Sequence, residues 1–361
     1  MSQAEVGEAI GVSHAFISQA ESGAKQPSEI NLHALAALLG FQETFFLAPL
    51  TAEFREDDCN FRRRRTTPAG VRTRILSHGT LFGELVDFLD AAVALPKYSI
   101  PTLRASNAND IELAAEKCRM QWGLGLDLPV KNMMRVLERS GAIATRFPAS
   151  AGKIDAFSRS GARGLVVLNT DKGSTSRARF DMTHECGHLV LHAGLSASRD
   201  ENEEEADRFA SAFLLPRAGF VREFPRTIGR VRLETLFPMK LRWKTSIAAL
   251  VRRAFDLKLI DGLAYQQAFR QIYAKGWHKG EPPSTEPPDE PPEVVRLSLE
   301  FLQKKSQTST LDVAAALGWQ YKVLADIAPD ALPSDVPPPE PKGRDVVSLD
   351  FFRAKKAKQA E

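Results

Sequence analysis

Cysteine is scarce in this sequence, and long hydrophobic runs are absent from it. Three cysteines, Cys59, Cys118 and Cys186, are scattered among 361 residues, and an odd, scattered set argues against a disulfide framework and suits a reducing cytoplasm. No apolar stretch reaches the roughly 20 residues that a membrane-spanning helix needs. Met1 leads into a polar amphipathic helix and not into a signal peptide. These absences predict a cytoplasmic protein with no membrane partner.

The most informative motif is His184-Glu185-Cys186-Gly187-His188. On a helix this spacing places the two imidazoles one turn apart on the same face, where both can bind one metal ion. Glu185, about 100° round the helix, could take a proton from the attacking water. Residues 174–193 carry apolar side chains round most of a helix, which predicts a buried helix whose histidines need partners. The alternative is a pair of solvated histidines at a helix end.

A second predicted helix, at residues 201–213, supplies carboxylates for a third metal ligand. At about 100° per residue, Glu203 falls nearest the middle of the apolar stripe, and a carboxylate that faces a core needs a partner. We therefore predict Glu203 as the third ligand, and Asp207, one turn on, as the group that orients a ligand histidine. His192 continues the histidine row of the first helix, but eight residues span about 12 Å, too far for a shared zinc ion.

The residues of these two helices resemble the ImmA/IrrE family of metallopeptidases. The similar segments are residues 179–192, 203–210 and 214–216, and the resemblance extends from about residue 111 to residue 282. It implies a zinc peptidase with His184, His188 and Glu203 as ligands and Glu185 as the catalytic base. Thr183 stands where alanine is usual in the family, and Cys186 where leucine or isoleucine is usual. We predict that Cys186 is a small buried residue and not a ligand.

The amino end carries a different pattern, two short helices joined by a glycine turn. Apolar residues recur at helical spacing from Gln3 to Ile10, Gly11 and Val12 form the turn, and Ser13 can cap a second helix. Such a pair predicts a helix-turn-helix motif. Its predicted core consists of Val6, Ile10, Val12 and Ile17.

Residues 2–23, with Pro27 and residues 32–40, resemble the Cro/CI or XRE family of DNA-binding domains. The resemblance implies that the second helix enters the major groove of operator DNA. It implies base-edge contacts from His14, Ala15, Ser18 and Gln19, and phosphate contacts from Gln3 and Lys25. Members of that family usually have a further helix before the position of Gln3, which leaves open an interaction module that binds no DNA.

The predicted fold class is α+β. Helical patterns fill most of the chain, and extended runs at residues 142–147, 155–158 and 165–169 predict a small sheet against the metal-site helix. We predict an all-α helix-turn-helix domain at residues 1–50, a helical connector at 51–108, a zincin-like metallopeptidase domain at 109–282, a proline-rich linker at 283–293, a small helical unit at 294–328 and a disordered tail at 329–361. The linker is expected to be extended and to bury nothing.

These patterns and resemblances predict a DNA-binding regulator with a zinc-dependent endopeptidase domain. The family resemblance implies that the substrate is an XRE-type repressor, or the chain itself, in a stress or mobile-element response. One zinc ion is the predicted cofactor, although manganese or iron also suits nitrogen and oxygen ligands. The other predicted partners are operator DNA and a second copy of the chain in a homodimer. The competing hypothesis is a non-proteolytic regulator or antitoxin that uses the peptidase fold as a sensor or dimerisation domain.

Overall fold

The computed structural model describes residues 1–48, 54–55, 59–61, 69–147, 156–169, 173–195, 200–225 and 229–332. Across these residues, helices predominate and four short strands form one sheet, so the fold is α+β as predicted. None of the helices in the described ranges has the length and apolar character that crossing a membrane requires.

Three helices form the amino-terminal module: α1 (Gln3–Ile10), α2 (His14–Glu21) and α3 (Glu29–Leu39). Each begins after a serine whose hydroxyl accepts a hydrogen bond from a first-turn backbone N–H, which caps the helix. Val6, Ile17 and Leu35 are buried together, and Ile10 and Val12 pack against them. The predicted core of the helix-turn-helix motif is therefore confirmed.

The sheet consists of β1 (Cys59–Phe61), β2 (Ile143–Phe147), β3 (Ala156–Arg159) and β4 (Leu165–Asn169). The strand order is β1-β3-β4-β2, with β2 parallel to β4 and the other two pairs antiparallel. The sequence predicts β2, β3 and β4 from their apolar runs. It does not predict β1, which has three residues and comes from the connector after the amino-terminal module.

Twelve further helices pack around this sheet in the described part of the chain. Their bounds are α4 (Ala69–Ala92), α5 (Ala108–Gln121), α6 (Met133–Arg139), α7 (Thr175–Leu191), α8 (Asp200–Leu214), α9 (Arg217–Glu223), α10 (Phe237–Trp243), α11 (Ile247–Asp256), α12 (Gly262–Ala274), α13 (Val294–Ser306), α14 (Thr310–Ala316) and α15 (Tyr321–Ile327).

Side chains alternate along the strands and enter two separate cores, as the period of two of a strand requires. One face joins Ala156, Val166 and Leu168 to α5, α7, α8 and α11. The other face joins Phe157, Leu165 and Val167 to α4 and the helices from α13 to α15. Because α7 carries the His-Glu-x-x-His motif, the first face of the sheet supports the candidate metal centre.

The carboxy-terminal helices contact both the sheet and the amino-terminal module. On the sheet side, the hydroxyl of Thr145 in β2 donates to the Ile327 carbonyl over 2.6 Å. On the module side, the Gln42 N–H donates to the Gly318 carbonyl over 2.7 Å, and Phe41 forms an isolated antiparallel bridge with Trp319. The carboxy-terminal unit therefore joins the helix-turn-helix module to the second core.

The predicted linker at residues 283–293, together with Glu281 and Pro282 before it, is an acidic segment and not the free linker that its prolines suggest. Five acidic side chains tie this acidic segment to α6, α7, α10 and β2, and two of them, Glu281 and Glu290, are buried. Lys240 pairs with Glu281 and Glu286 at 2.8 and 2.6 Å. The expectation that this segment buries nothing is wrong, because its carboxylates find cationic partners that are distant in the sequence.

The predicted disordered tail also begins too early. Residues 329–331 form a 3-10 turn that follows α15, and Ala331 is buried in the second core. A small apolar side chain packed in this way keeps the turn attached to the sheet. Residues 333–361, on which the rest of this prediction falls, lie outside the described residues. The other domain boundaries stay predictions.

Candidate metal centre

Helices α7 and α8 lie side by side and carry the predicted site residues. α7 begins after Ser174, whose hydroxyl accepts from the Arg177 N–H, and it packs against β3 and β4 on one side and α8 on another. His184, Glu185 and His188 are each about 98–99% buried on it. This burial agrees with the apolar pattern of α7 and leaves the imidazoles dependent on partners within the protein.

The structure brings His184, His188 and Glu203 together. One potential ligand atom from each residue lies within 4.8 Å of the others. The two Nε2 atoms are 3.0 Å apart, and the Glu203 oxygens lie 3.4 Å from His184 Nε2 and 3.3 Å from His188 Nε2. Ligand atoms on a tetrahedral zinc ion with bonds of about 2.1 Å stand roughly 3.4 Å apart. The spacing therefore suits a single small divalent ion.

Hydrogen bonds on the outer side of each imidazole favour the tautomer that a metal ligand needs. His184 Nδ1 lies 2.8 Å from the Asp207 carboxylate, which only accepts, so Nδ1 carries the proton and Nε2 keeps a lone pair. Neither Glu203 oxygen has a hydrogen-bond partner of good geometry, although both are buried. Two imidazole nitrogens and a carboxylate that converge on one point are a common donor set for a divalent ion, so the residues fit a metal ion that takes the place of the ring proton between them.

His188 has a longer chain of outer partners, which the sequence analysis missed. Its Nδ1 lies 2.9 Å from His192 Nδ1, and His192 Nε2 lies 2.9 Å from Glu205. Because the carboxylate fixes a proton on His192 Nε2, His192 Nδ1 accepts and His188 Nδ1 donates, which frees His188 Nε2 for a metal. The signal in the sequence was the continued spacing of four residues from His188 to His192.

The neighbouring acidic residues of α8 have different partners, which separates Glu203 from them. Glu204 is exposed and pairs with Arg208 over 2.7 Å, and Glu205 contacts His192. Glu203 alone among these three faces both imidazoles that carry the motif. The placement agrees with the helical-wheel prediction of Glu203.

Charges within the cluster shift the pKa values of its members. Burial raises the pKa of Glu203, but the adjacent imidazoles of His184 and His188 outweigh this effect and lower the pKa to about 2. Burial lowers the pKa of His188 to about 4. For His184 the effect of burial is overcome by Asp207 and Glu203, which raise the pKa to about 10. A metal ion that binds here therefore has to displace a proton from His184.

Glu185 lies beside the cluster and points towards β3. Burial raises its pKa to about 8, while His184 and the hydroxyl of Ser158 on β3 lower it in part. Neither Glu185 Oε2 nor Ser158 Oγ makes a hydrogen bond of good geometry. A buried carboxylate with a raised pKa is a stronger base than an ordinary glutamate, which suits proton transfer. Cys186 is buried in the apolar core, as predicted, and burial raises its pKa.

The predicted DNA-contacting residues lie on the surface of the amino-terminal module. His14, Ala15, Ser18 and Gln19 are exposed on α2, and Lys25 is exposed just after it, with its Nζ 5.2 Å from the centre of the Phe16 ring. Gln3 is half-buried, and its amide donates to Glu21. The exposed face of α2 is therefore available to a groove, whereas Gln3 contacts the end of α2 within the module.

Two segments of the chain match known family models. Residues 138–255 match the family model of the IrrE N-terminal-like domain, a peptidase family, and residues 1–46 match a helix-turn-helix model. The first match includes α7 and α8 with the whole cluster, and the second includes α1, α2 and α3. No curated protein matches the chain.

Proposed function

We propose that this chain, a regulator with an XRE-type helix-turn-helix domain and an IrrE-like peptidase-family domain, is a zinc-dependent endopeptidase that cleaves a helix-turn-helix repressor or itself. The observation that carries this proposal is the buried cluster of His184, His188 and Glu203, with Glu185 beside it. Two neutral imidazoles and a carboxylate are the ligands of many catalytic zinc sites. The helix-turn-helix domain supports operator DNA as a partner.

In the proposed reaction, His184, His188 and Glu203 hold the ion, which would supply Lewis-acid chemistry by polarising the scissile carbonyl and acidifying the attacking water. Glu185 takes one proton from that water as its oxygen bonds to the carbonyl carbon. The same carboxyl group then gives the proton to the leaving amine as the peptide bond breaks. Asp207 and the pair of His192 and Glu205 hold the ligand imidazoles in orientation throughout.

Cleavage of a repressor tests this proposal directly. Zinc-loaded wild-type chain is incubated with an XRE-type repressor encoded nearby, and fragments are followed by mass spectrometry. We expect cleavage at one or a few bonds, lost on chelation and in Glu185→Gln. The matched control is Glu204→Gln, because Glu204 also lies on α8 but is exposed and pairs with Arg208. A metal-loaded chain that cuts neither repressor nor itself, yet regulates an operator when Glu185 is changed, would support the non-proteolytic hypothesis.

DNA binding has a separate test. Replacing His14 and Gln19 with alanine removes two exposed side chains of α2, and we expect the specific operator affinity to fall while non-specific binding persists. Replacing exposed Lys25 should weaken binding to all sequences and reduce its salt dependence. Gel-shift titrations at two salt concentrations separate the two effects. Unchanged specific affinity after the first pair of substitutions would contradict groove insertion of α2.

A further inference from the structure

The groups of the candidate site are largely buried in this structure. Relative exposures of His184, Glu185 and His188 are 2%, 1% and 1%, and Glu203 keeps only a partly exposed side chain. A polypeptide substrate has to bring its scissile carbonyl to hydrogen-bond or ligand distance from these groups. An element that occupies the place of the substrate beside Glu185 would therefore block cleavage.

Strand β3 is the part of the sheet that faces Glu185. The Ser158 hydroxyl of β3 is close enough to lower the pKa of this carboxyl group, and α7 packs directly on β3. An extended peptide gains backbone hydrogen bonds when it joins a sheet edge as an added strand. A peptide that does so next to Glu185 must use an edge of β3.

Each strand has two edges, and both edges of β3 are paired. β4 takes one edge, with Ser158 opposite Val166. β1 takes the other edge, antiparallel, with Asn60 opposite Ser158 and Cys59 opposite Arg159. β1 therefore lies where an added peptide strand would pair with β3.

β1 is a short strand between two better-attached parts of the chain, Phe54 before it and α4 after it. It has three residues, and so short a pairing is marginally stable by itself. Before it, Phe54 is buried against Phe157, and its N–H donates to Thr80 Oγ1 over 2.9 Å. After it, α4 begins at Ala69. These anchors keep β1 at high effective concentration beside β3, whereas the strand itself contributes only three paired residues.

We infer that the outer edge of β3 binds the substrate as an extended antiparallel strand, and that residues 59–61 of the same chain occupy this edge and keep the peptidase latent. This inference rests on the proposed function. The occupant is a segment of this chain, and the substrate competes with it for the same backbone groups. Displacement of β1 therefore precedes peptide binding.

A reversible crosslink can fix β1 in place. In Arg159→Cys, the introduced cysteine has Cys59 as its register partner, and register partners have a Cα separation that a disulfide allows. The Arg159 guanidinium lies 4.0 Å from the centre of the Phe54 ring, and Phe54 belongs to the core on the face of the sheet away from α7. A crosslink at position 159 therefore avoids the metal cluster. Cys118 and Cys186 are buried and do not compete. Failure of the two thiols to join under oxidised glutathione would contradict the register.

Peptide binding is then measured without cleavage, in zinc-loaded Glu185→Gln chain. The probe is a fluorescein-labelled peptide of residues 56–64 with serine at position 59, and a scrambled peptide controls for its charge. We expect the affinity for the labelled peptide to rise in Asn60→Pro, because this variant loses a backbone N–H of β1. The affinity should fall by about tenfold or more when Arg159→Cys is oxidised. Adding reductant should restore it. In the double variant Arg159→Cys with Cys59→Ser, oxidation should leave the peptide affinity unchanged, because the second thiol of the crosslink is missing. Equal affinity in the oxidised and reduced forms would overturn the inference.

Cleavage of β-casein, an unfolded protein, separates this inference from the proposed function. With Glu185 intact and zinc bound, Asn60→Pro should cut faster than wild type, and oxidised Arg159→Cys should not cut. If peptide binding follows the expected order but no variant cuts casein, the repressor or itself, the proposed peptidase activity fails and the occupancy of the β3 edge stands. If oxidised and reduced Arg159→Cys cut casein at equal rates, the peptidase stands and the inference fails.

Discussion

The metal centre and the acidic segment 281–293 both rely on buried carboxylates, but they assemble over very different distances along the chain. In the metal centre, His184 and His188 are four residues apart on one helix, and Glu203 comes from the next helix. In the acidic segment, the partners of Glu286, Glu290, Asp289 and Glu293 lie 46, 111, 143 and 158 residues away. The comparison teaches that helical periodicity reveals the first kind of site and conceals the second.

The largest effect that we expect comes from breaking the acidic segment at a fully buried cation. Lys240→Met leaves the Glu281 and Glu286 carboxylates near each other without a positive charge, and Lys240 is fully buried. We expect a loss of about 3–5 kcal/mol in the free energy of unfolding, measured by urea denaturation. Adding Glu286→Gln should recover part of the loss. A change below about 1 kcal/mol would show that the segment is the loose linker its composition suggests.

The same contrast explains which parts of the fold could be predicted. Local periodicity predicts the helices α7 and α8, the strands β2 to β4 and the placement of Glu203. Each of these features depends on residues that are close together in the sequence. Prolines in the acidic segment correctly indicate the lack of a long helix or strand. They say nothing about Arg179, whose buried guanidinium binds Glu290. Likewise, β1 has no apolar run, and its pairing depends on the edge of β3.

A second prediction concerns the outer partners of the metal centre. His192→Phe removes the acceptor of the His188 Nδ1 proton while it keeps a ring in the space. We expect zinc affinity to fall about 10–100-fold, with Glu205→Gln showing a smaller loss. Competition with a chromogenic chelator measures the affinity, and the absorption spectrum of the cobalt-loaded chain reports ligand geometry. If the affinity and the cobalt spectrum of His192→Phe equal those of wild type, His192 does not position His188.

The smallest effect should come from the exposed end of the acidic segment. Arg135 pairs with Glu293 through two hydrogen bonds of 2.8 and 2.9 Å, but its side chain is 57% exposed. Because water and salt screen such a pair, Arg135→Ala should cost no more than about 1 kcal/mol. Urea denaturation at low and high salt provides the measurement. A larger, salt-independent loss would show that the two ends of the segment are equally important for stability.

Zinc titration of the metal-free chain tests the central claim most directly. Isothermal titration calorimetry is performed on wild type, Glu185→Gln and Glu203→Gln, with Glu204→Gln as the matched control on α8. We predict one ion per chain with similar affinity in wild type, Glu185→Gln and Glu204→Gln, because Glu185 and Glu204 are not among the three clustered ligands. In Glu203→Gln the affinity should fall by about 100-fold or more, beyond the usual loss for an outer partner. Wild-type affinity in Glu203→Gln, or loss of binding in Glu185→Gln, would contradict this assignment.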